Sequence, residues 1–577
     1  MRILFTLMLL PTAAFGYEPS PVAARHGMVS SAQHLATDVG VGVLKQGGNA
    51  IDAAVAIGYA LAVTYPAAGN LGGGGFMTVR LADGTTAFLD FREKAPAAAT
   101  PGMFLDKAGT LVPGRSTESW LGVGIPGSPA GLEAARARYG TFTRESLIAP
   151  ALKLAREGYV IEAGDLAILQ EMEPKLAADP ASAAIFLPGG HAPPLGHRLL
   201  QPDLARTLDL LAHDGPDAFY HGPIGDALVA ASTAGGGILQ KQDFERYQVR
   251  FLPPITCDYR GYQVISAPPP SSGGVALCEM LTILGGYDLR ALGFHSAIAA
   301  HLQTEAMRQA FVDRNNRLGD PDFVQNPVAE LLDPSYAAGI RARINPERAT
   351  PSAQLTPPHE GSNTTHYAVV DAAGNAVSVT YTLNDWFGIH KVAPGTGIVM
   401  NNEMDDFAAQ PGKPNMFGLV QGEANAVAPG KTPLSSMTPT IIARDGKPVM
   451  VLGSPGGPHI ITTVLNIVLN VIDYDMTIQE AVNAPRLHHQ WLPDILYAER
   501  FALSPDTVKL LEARGHKVVE GEPWGIAEAI LVGAPRLAPP PAADGASALP
   551  LGKAVVTGDT LFGAHDPRGD AGSAAGY

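Results

Sequence analysis

The stretch "SNTTHYAVVDAAGNAVSVTYTLN", residues 362–384, constrains the fold more than any other part of the chain. Residues 364–370 and 376–382 are two runs rich in β-branched and aromatic side chains, as strands prefer. Asp371, Ala372, Ala373, Gly374 and Asn375 between them are turn formers, Gly and Asn being suited to positive φ. The pattern predicts an antiparallel hairpin. If Val370 faces Ala376, the register sets Thr364 directly opposite Thr382, on the same face, with Cβ atoms about 5 Å apart. A bulge would shift that pairing by one residue. Taken alone, a threonine pair on a sheet is a packing choice, so any chemistry has to come from its surroundings.

The rest of the chain narrows the class. Its 577 residues correspond to about four average domains and suffice for a large core. The formal net charge of −15, with no dense Lys/Arg run, argues against a nucleic-acid binder. Gly and Pro are plentiful, yet 46% hydrophobic residues are too many for a disordered chain. "MRILFTLMLLPTAAFG" reads as a signal peptide over residues 1–16: Arg2 leads, an apolar core follows, and Ala14 and Gly16 form a small-x-small cleavage site. That core is too short to span a bilayer, and no later window is long and apolar enough. The reading is therefore an exported protein, periplasmic or secreted, without a membrane span. Cys257 and Cys278 are compatible with a disulfide or with two buried thiols. No Cys/His spacing resembles a zinc site, and the adjacent His488 and His489 read as structural.

Helical periodicity is clearest in "GGNAIDAAVAIGYALAV", through much of residues 115–235, and in "HSAIAAHLQTEAMRQAFVDRNNRLGD". "RGYQVISAPPPSSGGVALCEML" predicts strand, rigid turn and helix. "GNLGGGGFMTVRL" predicts a Gly-rich turn into a strand; a phosphate loop would need a helix, Lys and Ser/Thr after the glycines. The polar, Pro-rich residues 345–362 read as an exposed, poorly ordered segment ahead of Thr364. Residues 534–552 read as a low-complexity surface insertion.

In chain order, "GGNAIDAAVA", "GNLGGGGFM", "DFREKAP", "PPPSSGGV", the Thr hairpin, "NNEMDDF", "PLSSM", "GSPGG" and "NAPRLHHQWLPD" together resemble the gamma-glutamyltransferases, or glutathione hydrolases, of the N-terminal nucleophile hydrolase superfamily. The likeness runs over nearly the whole chain after residue 16. It implies an α+β fold, a four-layer αββα sandwich built jointly by two subunits. It also implies a precursor cut between Asn363 and Thr364, giving a large subunit of residues 17–363 and a small subunit of residues 364–577 that stay together as a heterodimer. Thr364 would then carry the nucleophilic hydroxyl and a free α-amino group as base, with Thr382 holding the hydroxyl in place.

The resemblance assigns further roles. Arg92 matches the guanidinium that pairs with the donor's α-carboxylate, a task that suits a planar fork. Ser435 and Ser436 match hydroxyl donors to the same carboxylate. Asn384, Glu403 and Asp406 match the group around the α-ammonium. Gly456 and Gly457 match the oxyanion hole. Position 403 is Glu where some members have Gln. Phe417 stands where several bacterial members have Tyr, in a Gly/Pro/Asn-rich loop at 410–427 that resembles a lid. Without the Tyr hydroxyl, closure of that lid is expected to rest on packing alone. The implied substrates are glutathione and other γ-glutamyl compounds, with water, amino acids or dipeptides as acceptors and no metal or organic cofactor. Two rivals remain: a glutaryl-cephalosporin acylase of the same superfamily, which would have no use for Asp406, and a non-catalytic exported binding protein.

Overall fold

The hairpin forms in the predicted register. In the computed structural model, which describes residues 20–352, 364–537 and 558–577, strand Thr365–Asp371 pairs antiparallel with Ala376–Thr382. Thr365 lies opposite Tyr381 and Val370 opposite Ala376, with no bulge between. Asp371 closes the turn by accepting the Asn375 N–H at 2.9 Å. Its second carboxylate oxygen accepts the Ala50 N–H at 2.9 Å, at the start of helix Ala50–Thr64. One turn residue thus locks the hairpin to the helix behind it.

The hairpin occupies the middle of a seven-stranded antiparallel sheet. The order across it is Ser573–Gly576, Gly27–Ser31, Thr365–Asp371, Ala376–Thr382, Gly74–Arg80, Thr86–Phe91 and Arg250–Leu252. A second seven-stranded antiparallel sheet stacks on it, in the order Val22–Ala24, Leu561–His565, Glu528–Val532, Lys447–Gly453, Thr440–Arg444, Tyr262–Ser266 and Ile255–Tyr259. Strand alternation divides the hairpin between two cores. Tyr367, Val369, Val377, Val379 and Tyr381 pack against helix Ala50–Thr64, which is buried along its whole length and therefore apolar all round. Ala368, Val370 and Ala376 face the other way, meeting Ile441, Val451 and Ile530 of the second sheet. Helices Gly273–Leu284, Ala297–Arg317 and His459–Ile472 cover that sheet's outer side. The result is the four-layer αββα sandwich.

The Gly run "GNLGGGG" serves close backbone approach. A Cβ on Gly73 would lie 2.0 Å from the Thr382 carbonyl oxygen, so only glycine lets this loop pass beneath the end of the hairpin. Asn70, in the same loop, donates to that carbonyl at 2.9 Å. Both sheets draw strands from each side of residue 364, so neither part of the chain completes a sheet alone.

Cys257 and Cys278 form a disulfide between strand Ile255–Tyr259 and helix Gly273–Leu284. Residues 345–352 are mostly exposed, as expected, but they are not poorly ordered, and residues 353–362 of that expected segment lie outside the described residues. The Ala349 N–H donates to the Arg514 carbonyl at 2.7 Å and the Ser352 N–H to Asp494 at 2.7 Å. Its polar groups find partners far along the chain, which composition does not reveal. The expected signal peptide, Asn363 and most of the 534–552 stretch lie outside the described residues. Among the described residues, no helix is long and apolar enough to cross a membrane.

Candidate active site

Thr364 and Thr382 meet at the mouth of the inter-sheet layer, their hydroxyl oxygens 3.2 Å apart. Thr382 Oγ1 also accepts the Asn384 N–H at 2.8 Å, and either threonine hydroxyl can donate in the contact between them. Asn384 holds φ at 74°, a left-handed conformation that Asn tolerates better than most residues. The turn it makes carries its side chain to the Asn402 carbonyl at 3.1 Å. Deeper on the same face, His366 bonds Thr380 at 2.8 Å, and burial pushes its imidazole down to about 3, so it stays neutral.

One cavity gathers almost every residue singled out in the sequence. Thr364, Thr382, Asn384, Arg92, Glu403, Asp406, Ser435, Ser436, Phe417 and Gly457 all line it. Gly456 sits one residue behind Gly457 in the turn between strand Lys447–Gly453 and helix His459–Ile472. Both glycines have positive φ, 133° and 53°, which orients the turn ahead of a helix N-terminus, where backbone N–H groups favour an anion.

Arg92 is fully buried and ion-pairs with both Glu403 and Asp406. A third donor, Nε, reaches the Pro433 carbonyl at 3.0 Å. Burial drives the Glu403 carboxyl above the ordinary carboxylate range, opposed by Arg92 and reinforced by Asp406. Glu93, next to Arg92, is raised further by burial and by the Glu403 charge beside it. Apart from that contact between carboxyls, neither Glu93 oxygen has a hydrogen-bond partner among the described residues. Two buried carboxyls in contact share a proton more readily than they both ionise. The cluster of Arg92, Asp406 and this pair therefore keeps a negative balance, which suits a bound cation.

A buried cation, Arg314, stands behind Ser436 of the cavity lining. Ser436 Oγ accepts from Arg314 at 2.9 Å, and the guanidinium also donates to Ser272 Oγ at 3.0 Å. Sequence reasoning missed Asn70, Glu93, Ser272 and Arg314. Ser272 sits inside the "PPPSSGGV" motif; Arg314 carried no local signal.

The 410–427 loop closes over the cavity by more than packing. A Cβ on Gly457 would lie 2.9 Å from the Phe417 ring, so the ring does cover that glycine. Polar contacts reinforce it, correcting the expectation of packing alone. Gln490 of the "HHQW" motif donates to the Phe417 carbonyl at 3.1 Å, and the Met416 N–H donates to Asp405 at 3.1 Å. Asn384 and Asn402 both direct amide groups to the Met416 sulfur, at 3.7 and 3.6 Å. His488 bonds Thr462 at 2.8 Å and His489 pairs with Asp494 at 3.2 Å, both structural roles. Elsewhere, Glu305 lies close to His301 and His516. Those imidazoles hydrogen-bond each other at 2.7 Å, closer than the roughly 3.3 Å between two nitrogens on one tetrahedral zinc.

A strand-opening threonine between two helix-covered antiparallel sheets, in one cavity with the turn before a helix N-terminus, is the arrangement of the N-terminal nucleophile hydrolase fold. A gamma-glutamyltranspeptidase family profile matches residues 36–547. The chain is 57% identical to a glutathione hydrolase proenzyme of Pseudomonas sp. (strain A14), over 97% of this chain and 95% of that one. It is 47% identical to the glutathione hydrolase proenzyme of Escherichia coli (strain K12), over 98% and 95% of the two chains. Among solved structures, the cephalosporin acylase from Bacillus halodurans superposes with a TM-score of 0.82 at 27% identity, covering 100% of this chain and 99% of that one. The chain belongs to the gamma-glutamyltranspeptidase family.

Removing the Arg92 charge should destabilise the ligand-free protein, because the buried Glu403 and the partly buried Asp406 would lose the cation they pair with. Arg92→Met should cost about 3–5 kcal/mol and Arg92→Lys less, read as denaturant midpoints. Equal midpoints for wild type and Arg92→Met would contradict this charge balance.

Proposed function

We propose that the chain is a self-processing γ-glutamyltransferase and glutathione hydrolase, with Thr364 as nucleophile. The observation that carries the reading is the Thr364–Thr382 hydroxyl contact of 3.2 Å in a cavity lined by Arg92, Glu403, Asp406, Ser435 and Ser436. In the precursor, Thr364 Oγ attacks the Asn363 carbonyl carbon. The C–N bond breaks, the nitrogen takes up a proton as the new α-amine, and water hydrolyses the resulting ester. This would leave a large subunit of residues 17–363 and a small subunit of residues 364–577, held together by their shared sheets. The leader sequence would send the precursor to the periplasm or beyond.

In turnover the freed α-amine, which ordinarily titrates at about 7.7–8.0, takes the Thr364 hydroxyl proton. The oxygen attacks the γ-carbonyl of glutathione or another γ-glutamyl amide. The N–H groups of Gly456 and Gly457 receive the developing oxyanion, and the amine leaves with the proton. Water, an amino acid or a dipeptide then takes the γ-glutamyl group from the ester. Arg92 and the serine pair address the donor's α-carboxylate; Glu403, Asp406 and Asn384 address its α-ammonium. A glutaryl-amide acylase could use the same nucleophile, and a solved cephalosporin acylase shares the fold. The acidic wall favours the donor that carries an ammonium group.

Thr364→Ala should remain a single chain on a denaturing gel and show no γ-glutamyl anilide turnover. An uncut yet active wild type would sink the processing mechanism.

Acid should weaken donor binding. Burial raises the Glu403 carboxyl to about 7, so as pH falls through neutrality the pair it forms with Glu93 loses its remaining charge, the one that faces the ammonium. Donor KM should therefore rise on the acid side, and Glu403→Gln should flatten that rise. An acid limb identical in Glu403→Gln and wild type would contradict the assignment.

A further inference from the structure

Arg314 stands in the last turns of helix Ala297–Arg317 and is 1% exposed. Every hydrogen-bond partner it has is neutral: Ser436 Oγ at 2.9 Å, Ser272 Oγ at 3.0 Å, Asn315 Oδ1 at 2.8 Å and Gln421 Oε1 at 3.1 Å. Among the described residues no carboxylate pairs with it. Burial lowers its guanidinium to about 10, with Asp406 opposing and Arg92 adding to the shift. An arginine remains charged there at neutral pH, so this is a buried cation with no anion of its own. Such a charge is expensive to keep and calls for a partner.

The wiring around it points into the cavity. Ser436 accepts from Arg314, and its own proton has no acceptor among the described residues. Ser272 also accepts from Arg314 and passes its proton to the Ser435 carbonyl at 2.6 Å. Both serines of the "PLSSM" motif are thus tied to one guanidinium, directly or through Ser272. Arg92, by contrast, is already matched by Glu403 and Asp406 before any substrate arrives.

We propose that Arg314 is a positioning residue for the donor's α-carboxylate: its unpaired charge polarises Ser436 and fixes the serine pair, so that the carboxylate is the anion this buried cation lacks. The inference rests on the γ-glutamyl reading above. It assigns the net positive charge of the carboxylate subsite to Arg314. Arg92 supplies geometry to the same carboxylate while its charge balances the acidic wall.

Three competitive inhibitors of γ-glutamyl anilide turnover separate the contributions. L-Glutamate has both α groups, glutarate lacks the ammonium, and 4-aminobutyrate lacks the α-carboxylate. In processed Arg314→Gln enzyme the inhibition constants of glutamate and glutarate should rise roughly 10- to 100-fold, as for the loss of a charge-assisted contact. That of 4-aminobutyrate should rise far less, and Arg314→Lys should recover part of the loss. A similar rise for all three ligands, or none for glutamate, would overturn the inference. If Arg314→Gln yields no processed protein, Arg314→Lys carries the test in a cycle with Ser436→Ala. The glutamate penalty of Arg314→Lys should then shrink when the Ser436 hydroxyl is absent, and strictly additive penalties would overturn the proposal. A wild type that neither cleaves the anilide nor binds glutamate would instead defeat the functional reading itself.

Discussion

The Thr364 hydroxyl is useful only while the hairpin register holds it against Thr382. Moving the pairing by one residue would send every side chain of one strand to the opposite face and place the hydroxyl among the helices. Several contacts fix that register at once. Asp371 ties the turn to the helix behind, Asn70 grips the Thr382 carbonyl, and the glycine run lets the neighbouring strand approach without a side chain in between. Most of the molecule braces these few atoms.

Charge sets the second constraint. Glu403, Asp406 and Arg92 line the cavity, with Glu93 behind its acidic side and Arg314 behind Ser436. An amino-acid head group is itself a pair of opposite charges, so it can complement the acidic side and the buried cation together without leaving either charge stranded. A ligand with only one of those groups leaves the other charge unsatisfied, and that is a physical basis for selectivity.

The legible part of the sequence was local. Residues 364–382 have a period-two pattern with turn chemistry in the middle, so both strands and their register follow from residues a few positions apart. The ordered motifs carried the resemblance, and the residues it singled out, Arg92, Glu403, Asp406, Ser435, Ser436 and Gly457, line one cavity. What stayed hidden depends on distant partners. Arg314 and Ser436 are separated by 122 positions, and nothing near Arg314 in the chain distinguishes it from a solvated helix-end arginine. Residues 345–352 are polar and Pro-rich yet ordered, because Arg514 and Asp494 supply their hydrogen bonds. The 410–427 loop shows the same limit: the missing tyrosine hydroxyl at Phe417 is visible in sequence, but the contacts that Gln490 and Asp405 make with Phe417 and Met416 are not.

The central claim is that Thr364 carries the acyl group. Acid-quenching the enzyme during turnover of a γ-glutamyl anilide and mapping the peptides by mass spectrometry tests it directly. The account predicts a peptide that begins at Thr364 and has gained the mass of one γ-glutamyl group on that threonine, an adduct that water or an amino-acid acceptor removes. An adduct on any other residue, or burst release of the aniline with Thr364 still blocked in an uncut chain, would contradict it.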